Sequence, residues 1–584
     1  MSTLEKLKAC QTRSDLSKLL GFVPKGLAFA LYKIPDDAKY REFSIPKKGG
    51  GQRKICAPNP RLGLVQRRLA TRLYECVLEI EEKQPNRRRV THGFQKGRSI
   101  ITNADRHHSR RYVFNIDIQD FFQSINFGRV RGFFQKDSTF ALNDEVATTI
   151  AQIACWQNGL PQGSPCSPVI ANLVGHILDV KLLKLAKQAR CRYTRYADDI
   201  SFSTSERNFP SLIAARADGK PAVWEPSENL ASAIRQAGFA INPAKTRMQI
   251  RGSRQMATGL MVNEKVNIRP EYYNETRAMC HRLFTTGRYE IPRWPDRQET
   301  DQLGALEGRL SHIFAVKARL DLSSKRRKER HVKVPSGTIE LCRRFLFYKN
   351  FVVNPLPVII TEGPSDVIYL RAALRARGKE FPKLYDARQE QKFLVRFVNH
   401  SHFMRENLLG HGVGGLGTLI SRYHATLQEY AQEGQTAPVV LLVDNDEESD
   451  KAFKAAKKAI KEDGNGAASI SVESNDAWHH LIDNLYLVKI PHGGAEQKKR
   501  VIEQLLPEEW LKHEVDGKRF DPSKKHGDHS SLGKVFFAKK VVEANADKIN
   551  FGAFDALFSL LDGALRDFED KRKQEAGGKV MAAS

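Results

Sequence analysis

The chain has no CxxC pair, no histidine cluster at zinc-ligand spacing and no run of about 18 apolar residues. The first two absences remove small zinc folds and disulfide scaffolds, so Cys10, Cys56, Cys76, Cys155, Cys166, Cys191, Cys280 and Cys342 read as free thiols. The third removes a spanning helix, and no membrane partner is expected. Charges recur every few positions at the start (Glu5, Lys6, Lys8, Arg13, Asp15), which denies that segment the apolar core of a signal peptide. A reducing cytoplasm is the expected location. Heptad arrays, short-period repeats and low-complexity tracts are also missing, so coiled-coil and solenoid architectures fall away.

Acidic residues are scarce relative to basic ones, 67 against 94, which leaves a net charge of +27. Such an excess points to a polyanionic partner, nucleic acid first and an anionic membrane surface second, with basic residues spread over solvated faces as the plain alternative. At 584 residues the chain exceeds what one hydrophobic core organises, and about three or four domains are expected.

Near Phe43 helical spacing yields to an extended stretch, then Lys47, Lys48, glycines at 49 to 51 and Arg53 to Ala57, which reads as a basic hairpin. From Leu62 to Glu82 apolar residues return at helical spacing, with Leu64, Leu69, Leu73, Cys76, Val77 and Ile80 on one side. Strands are expected over Tyr112 to Ile118 and Tyr193 to Ser203, with a helix from Pro168 to Ala186 between them, an α+β palm-like core. The polar, basic run between Asp321 and Gly337 reads as a loop or linker, either solvated or in contact with RNA. Beyond it Pro357 to Thr361 and Pro438 to Val443 are apolar strands ending in acids and followed by helical segments, a separate α/β domain.

Phosphoryl transfer to a growing strand needs two divalent ions a few ångströms apart, so carboxylates must converge from separate strands. FNIDIQDFF puts Asp117 at the end of an apolar, β-rich run, and RYADDISFS puts Asp198 and Asp199 at the turn of a hairpin. With LPQGSPCSPVIANL between them, these motifs resemble, in order and spacing, the reverse transcriptases of the bacterial retron and group II intron branch.

That resemblance implies metal binding by Asp117 and Asp198, with Asp199 assisting, and two Mg²⁺ ions. Phe122, five residues beyond Asp117, matches the bulky aromatic that excludes a ribose 2′-hydroxyl; a core phenylalanine is the alternative. Gln162 and Gly163 form a tight turn in which the missing side chain lets the backbone approach nucleotide and template. Arg53 and Arg98 (in GFQKGRS) resemble residues that grip the incoming deoxynucleoside triphosphate, and Lys245 (in GFAINPAKT) resembles a lysine that can protonate the leaving pyrophosphate.

Two motifs resemble retrons in particular: Asn103, Ala104 and His107 form NAxxH, and ATGLMVN corresponds to the VTG motif, with Thr258 and Gly259 retained and Ala257 in place of valine. They imply RNA binding rather than catalysis. The following segment matches the thumb that holds a stem-loop of the cognate RNA. The family copies a structured non-coding RNA, primes from an internal 2′-hydroxyl, and yields RNA-linked single-stranded DNA (msDNA).

In the C-terminal part VIITEGPSD places Glu362 at a strand tip, with Gly363 turning and Asp366 opening a helix, and VVLLVDND places Asp444 and Asp446 at another. Hard oxygen ligands at adjacent strand ends suit Mg²⁺. One Glu followed by DxD resembles the Toprim fold of topoisomerases, primases and overcoming-lysogenization-defect nucleases, implying one or two Mg²⁺ ions held by Glu362, Asp444 and Asp446. Gly412, Gly414 and Gly417 spell GxGxxG but lack a preceding strand, and are expected in a glycine-rich turn.

The expectation is therefore an α+β right-hand polymerase (fingers, palm, thumb) followed by an α/β Toprim domain. Fingers and palm span 1–270, an RNA-binding thumb with the basic linker 271–354, Toprim 355–495 and a C-terminal appendage 496–584. The fused arrangement resembles a retron subtype with a built-in effector, which implies antiphage defence by a Mg²⁺-dependent nuclease. Oligomerisation would serve restraint of such an effector, though no pattern sets a number. A bacterial defence reverse transcriptase without 2′-hydroxyl priming, and a nuclease whose polymerase half only scaffolds RNA, remain alternatives.

Overall fold

Val113, Phe114 and Ile116 are fully buried on both faces of the strand they build, Tyr112–Asp117, which lies inside a four-stranded antiparallel sheet. The sheet order is Arg192–Tyr196, Asp199–Thr204, Tyr112–Asp117, Arg247–Ile250, so the strand carrying Asp117 runs beside the hairpin carrying Asp198 and Asp199. In this computed structural model the described residues are 1–46, 50–83, 90–217, 220–291, 298–318, 336–388, 391–410, 412–430, 437–447, 449–462, 478–492, 499–515, 517–520 and 532–583. Lys47, Lys48 and most of the basic run before Gly337 lie outside them.

Contacts divide the chain into two compact units, one built on Met1–Arg269 and the other on Pro270–Ala318 with the residues that follow the basic run. In the first unit, the helix Ser167–Gln188 packs on the strand Arg192–Tyr196 and on the helix Pro60–Lys83. The latter buries Leu62, Val65, Leu69, Leu73 and Cys76, at intervals of three or four residues. Leu64, expected on the same side, falls out of phase and is 39% exposed. The basic hairpin pairs Tyr40–Pro46 with Gln52–Pro58.

The second unit holds a five-stranded sheet in the order Arg396–Phe397, Val358–Ile360, Val439–Val443, Leu485–Lys489, His479–Ile482. Its first four strands are parallel and the last is antiparallel. Both faces are covered, which is why Val439–Val443 is apolar throughout and buried at every position. One face shares its core with the helices Pro270–Thr286, Leu303–Ala318 and Ser336–Phe347, and the other with Pro364–Arg377 and the C-terminal helix Asp555–Ala583. The GxGxxG glycines do not form a turn: they open the helix Gly412–Leu427. Crowding falls on Gly415, where a Cβ would stand 2.1 Å from the Leu409 carbonyl oxygen; Gly412 and Gly414 have open space beside them.

Candidate active site

Asp117 stands opposite Asp199 in the strand register, and the Ile118 amide donates to the Asp198 carbonyl at 3.0 Å, so three carboxylates far apart in sequence meet at one sheet edge. Ala197 and Asp198 form the two-residue turn between Tyr196 and Asp199. Ala197 takes φ +55°, the left-handed position that glycine usually fills at the start of a type II′ hairpin turn. Such a strained turn persists only where its surroundings over-determine it.

Here they do. Gly93 presses against the turn so closely that a Cβ would lie 2.6 Å from the Ala197 amide nitrogen. Behind it Arg195, wholly buried, donates through Nε to Asp179 Oδ1 at 2.8 Å, through Nη2 to Asp179 Oδ2 at 2.7 Å and through Nη1 to the Ala197 carbonyl at 3.2 Å. Tyr193 Oη also donates to Asp179 (2.6 Å), and Asn172 links Arg195 to the Gly93 carbonyl. Burial opposes the charge on Asp179, but Arg195 and these hydrogen bonds outweigh it and hold the carboxyl below its ordinary range. The brace joins the helix Ser167–Gln188, through Asn172 and Asp179, to the strand Arg192–Tyr196, through Tyr193 and Arg195, and only tertiary packing brings the two pairs together.

Asp117 is buried and receives Lys245 Nζ at 2.9 Å and Asn242 Nδ2 at 3.3 Å. Asn242 also caps the short turn Pro243–Lys245, accepting from the Ala244 amide, so INPAK is the device that delivers the lysine. Desolvation, then Asp198 and Asp117, push the Asp199 carboxyl up to about 6, although its own surface opens to the cleft. Asp198 rises for the same two kinds of reason, burial and Asp117. Its bond to Asp117 raises Lys245, which stands in for a cation. Carboxylates crowded so that Asp198 and Asp199 are both pushed above the ordinary range favour a cation placed between them.

Arg53 lies near enough to favour ionisation of Asp198. Its hairpin is tied to the loop after Leu160 by the Cys56 amide, which donates to the Gln162 carbonyl at 2.7 Å. Gly163 takes φ +123°, and a Cβ there would sit 2.7 Å from the Cys56 carbonyl oxygen; in this structure the glycine admits the hairpin backbone. Phe122 is half-buried, its ring 5.7 Å from Phe121 and 6.0 Å from Phe94, which holds φ +56°. Arg98 bonds away from the trio, to the Thr91 carbonyl and the His92 ring.

The two retron-like motifs meet. Thr258 (φ +47°) and Gly259 (φ +81°) are the central residues of a two-residue hairpin turn of type I′, and the Thr258 hydroxyl donates to the Ile100 carbonyl at 3.1 Å. Asn103 is buried in the short helix Ile100–Ala104. His107, also buried, bridges Ser203 Oγ (2.8 Å) and Thr194 Oγ1 (2.7 Å), one on each strand of the aspartate hairpin. Burial holds its pKa down to about 3, so the neutral ring is a fastener.

A second acidic cluster forms in the other unit. The Asp444 amide donates to Glu362 Oε1 at 2.9 Å across adjacent parallel strands, and the Ile502 amide donates to Asp444 Oδ1 at 2.9 Å. Burial, then Glu362, Asp366 and Glu503, push Asp444 up to about 8, and burial with Glu503 pushes Asp366 up to about 6. Glu503 is itself buried, with Lys534 Nζ at 3.1 Å. Asp446 Oδ1 accepts from the Ser449 amide and hydroxyl, closing its own turn. Residues 496–584, read from sequence as an appendage without chemistry, thus supply Glu503 and Lys534, which no motif announces. Among the described residues no three acidic, histidine or cysteine side chains close into a ready metal cage. Mg²⁺ typically uses one or two carboxylates and completes its shell with water and substrate phosphate, so both donor sets fit it.

An antiparallel sheet bearing a strand-end aspartate against a DD turn is the arrangement that the sequence motifs lead one to expect of the reverse transcriptase class. A family profile described as reverse transcriptase (RNA-dependent DNA polymerase) matches residues 45–277. The chain is 34% identical to the retron Mx162 reverse transcriptase of Myxococcus xanthus over 42% of its length and 52% of that protein's. To the retron Ec86 reverse transcriptase of Escherichia coli it is 32% identical over 47% of its length and 79% of that protein's. To the retron Mx65 reverse transcriptase of Myxococcus xanthus it is 34% identical over 47% and 64%. The chain belongs to the retron reverse transcriptase family; its match spans about half the length of the first of these relatives.

Proposed function

We propose that the first unit is an RNA-directed DNA polymerase with Asp117, Asp198 and Asp199 as its metal-binding carboxylates. The observation that carries this is the register that sets Asp117 opposite Asp199 with Asp198 on the adjoining turn. Mg²⁺ bound there would activate the primer hydroxyl and neutralise the departing pyrophosphate. Arg53, on the hairpin facing Asp198, binds the triphosphate. Gln162 and Gly163 fix that hairpin against the palm. Phe122, backed by Phe121 and Phe94, excludes the 2′-hydroxyl of a ribonucleotide. Lys245 Nζ holds the proton nearest the trio and gives it to the leaving group once Asp117 has a stronger cation to bind. Incorporation of deoxynucleotides on a primed RNA, abolished by Asp198→Ala, tests the assignment.

In this reading residues 1–270 are fingers and palm, and 271–354 are a thumb for a stem of the cognate non-coding RNA. The product is msDNA begun at an internal 2′-hydroxyl. Sequencing nucleic acid copurified with the protein tests this: a branch joining RNA to DNA supports it, and only linear, 3′-primed DNA counts against it.

For the second unit we propose a Toprim site within 355–495, in which Glu362, Asp444 and Asp446 with Asp366 hold Mg²⁺, completed by Glu503 and Lys534 from 496–584. The bond from the Asp444 amide to Glu362 and the proton held by Asp444 support it. The activity is phosphodiester cleavage, as the effector of an antiphage system. Asp444→Asn should remove toxicity or defence and leave DNA synthesis intact; loss of both would show that the two sites are not independent.

A further inference from the structure

Arg106, Arg110 and Arg192 gather where the NAxxH segment meets the first residue of the strand Arg192–Tyr196. Arg192 Nη1 donates to the Arg106 carbonyl at 3.1 Å, and Arg110 Nη1 donates to Ser205 Oγ at 3.3 Å. Both guanidinium groups are thus held by neutral oxygens. Arg110 Nε is enclosed with no hydrogen-bond partner. Among the described residues no ion pair neutralises any of the three; the neighbouring acid, Asp105, faces His108 at 3.8 Å.

Like charges assembled on a rigid base are tolerated when an anion completes them. Burial lowers the pKa of Arg110 and of Arg192; Arg106 lowers both further, Arg110 adds to the effect on Arg192, and Asp105 only partly offsets it. The base is rigid because His107, one residue beyond Arg106, is bonded to both strands of the hairpin. Guanidinium forks match phosphate oxygens in pairs. Arg192 begins its strand and Tyr196 ends it at the aspartate turn, about 13 Å further on at the usual rise per residue. This face is therefore separate from the nucleotide cleft.

We propose that Arg106, Arg110 and Arg192 form a phosphodiester-binding site that grips a nucleic-acid strand one strand length behind the aspartate turn. The proposal rests on the polymerase reading for its place in function, since it assigns part of the hold on template or product, but its test does not require catalysis. The triple variant Arg106→Gln, Arg110→Gln, Arg192→Gln keeps hydrogen-bond donors and removes the charge. Binding of a fluorescein-labelled RNA hairpin, and of single-stranded DNA of the same sequence, is measured between about 50 and 200 mM salt.

Each phosphate contact contributes about 0.7 to 0.9 to the slope of log K against log salt, so the variant's slope should be shallower by about two to three. The probe that shows the drop identifies the strand held. The triple lysine variant should restore the slope, and Lys6→Gln, Lys8→Gln, Lys18→Gln, which removes equal charge elsewhere, should leave it unchanged. An unchanged slope with glutamine, an equal drop in the control, or failure of lysine to restore it overturns the site. Deoxynucleotide incorporation on a saturating primed template is followed in parallel: if the unaltered protein incorporates none, the polymerase reading fails while the slopes still decide the site.

Discussion

Asp179→Asn removes one charge from a buried pair and leaves Arg195, with no solvent exposure, uncompensated beneath the aspartate turn. Breaking such a pair costs about 3–5 kcal/mol, whereas replacing both members by apolar side chains is often neutral. The amides of Arg195, His92 and Ile118, bonded to Val90, Arg195 and Asp198 carbonyls, report on opening of this region. Their hydrogen exchange should accelerate by about two to four orders of magnitude in Asp179→Asn. The double variant Asp179→Leu, Arg195→Met should recover most of the protection. Polymerisation should fall in the single variant, because Arg195 also holds the Ala197 carbonyl. The carboxyl is held below its ordinary value of 3.8, so its contribution is present above that pH and lost as the pH falls through its folded value. Exchange in Asp179→Asn within about threefold of the unaltered protein would refute the reasoning.

Gly163→Ala sets a Cβ at 2.7 Å from the Cys56 carbonyl on a backbone with φ +123°, and should cost about 1–3 kcal/mol and raise the KM for deoxynucleotides, read by steady-state extension. Phe122→Ala should admit ribonucleotides, and Phe94→Ala should do so partially by removing the neighbouring ring; competition between deoxy- and ribonucleotide incorporation measures both. Asp444 rises from 3.8 to about 8 on folding, so its contribution to stability is complete below about pH 4 and is lost as pH rises through 8. Melting of the Mg²⁺-free protein should therefore drop over that interval, Mg²⁺ should reverse the drop, and Asp444→Asn should flatten the dependence.

The palm was legible because its information is local. An apolar strand buried along its length, a hairpin with acids at its turn and a glycine-bearing loop each announce themselves within about ten residues, and the register that joins Asp117 to Asp199 follows from pairing those strands. Lys245, named from its motif, stands beside Asp117, whereas Asn242, which also bonds Asp117 and caps the turn that carries the lysine, was not singled out. Asp179 and Arg195 were not singled out because a buried ion pair leaves no periodic signal, and each stands among other charges, Lys181 and Lys184 on the helix and Arg192 on the strand. Glu503 and Lys534 reach Asp444 only through tertiary packing. The glycines at 412, 414 and 417 misled because glycine clusters usually mark turns, whereas this segment is helical from Gly412 onward, with the close backbone approach falling on Gly415 instead.

The central claim is that the carboxylates of 117, 198 and 199 act as one Mg²⁺-binding unit. Single-turnover deoxynucleotide incorporation on a primed RNA, measured against Mg²⁺ for the unaltered protein, Asp117→Asn and Asp198→Asn, tests it most directly. The account predicts that each variant loses incorporation by about three orders of magnitude or more while still binding the primed RNA. Incorporation at an undiminished rate in Asp198→Asn would contradict it.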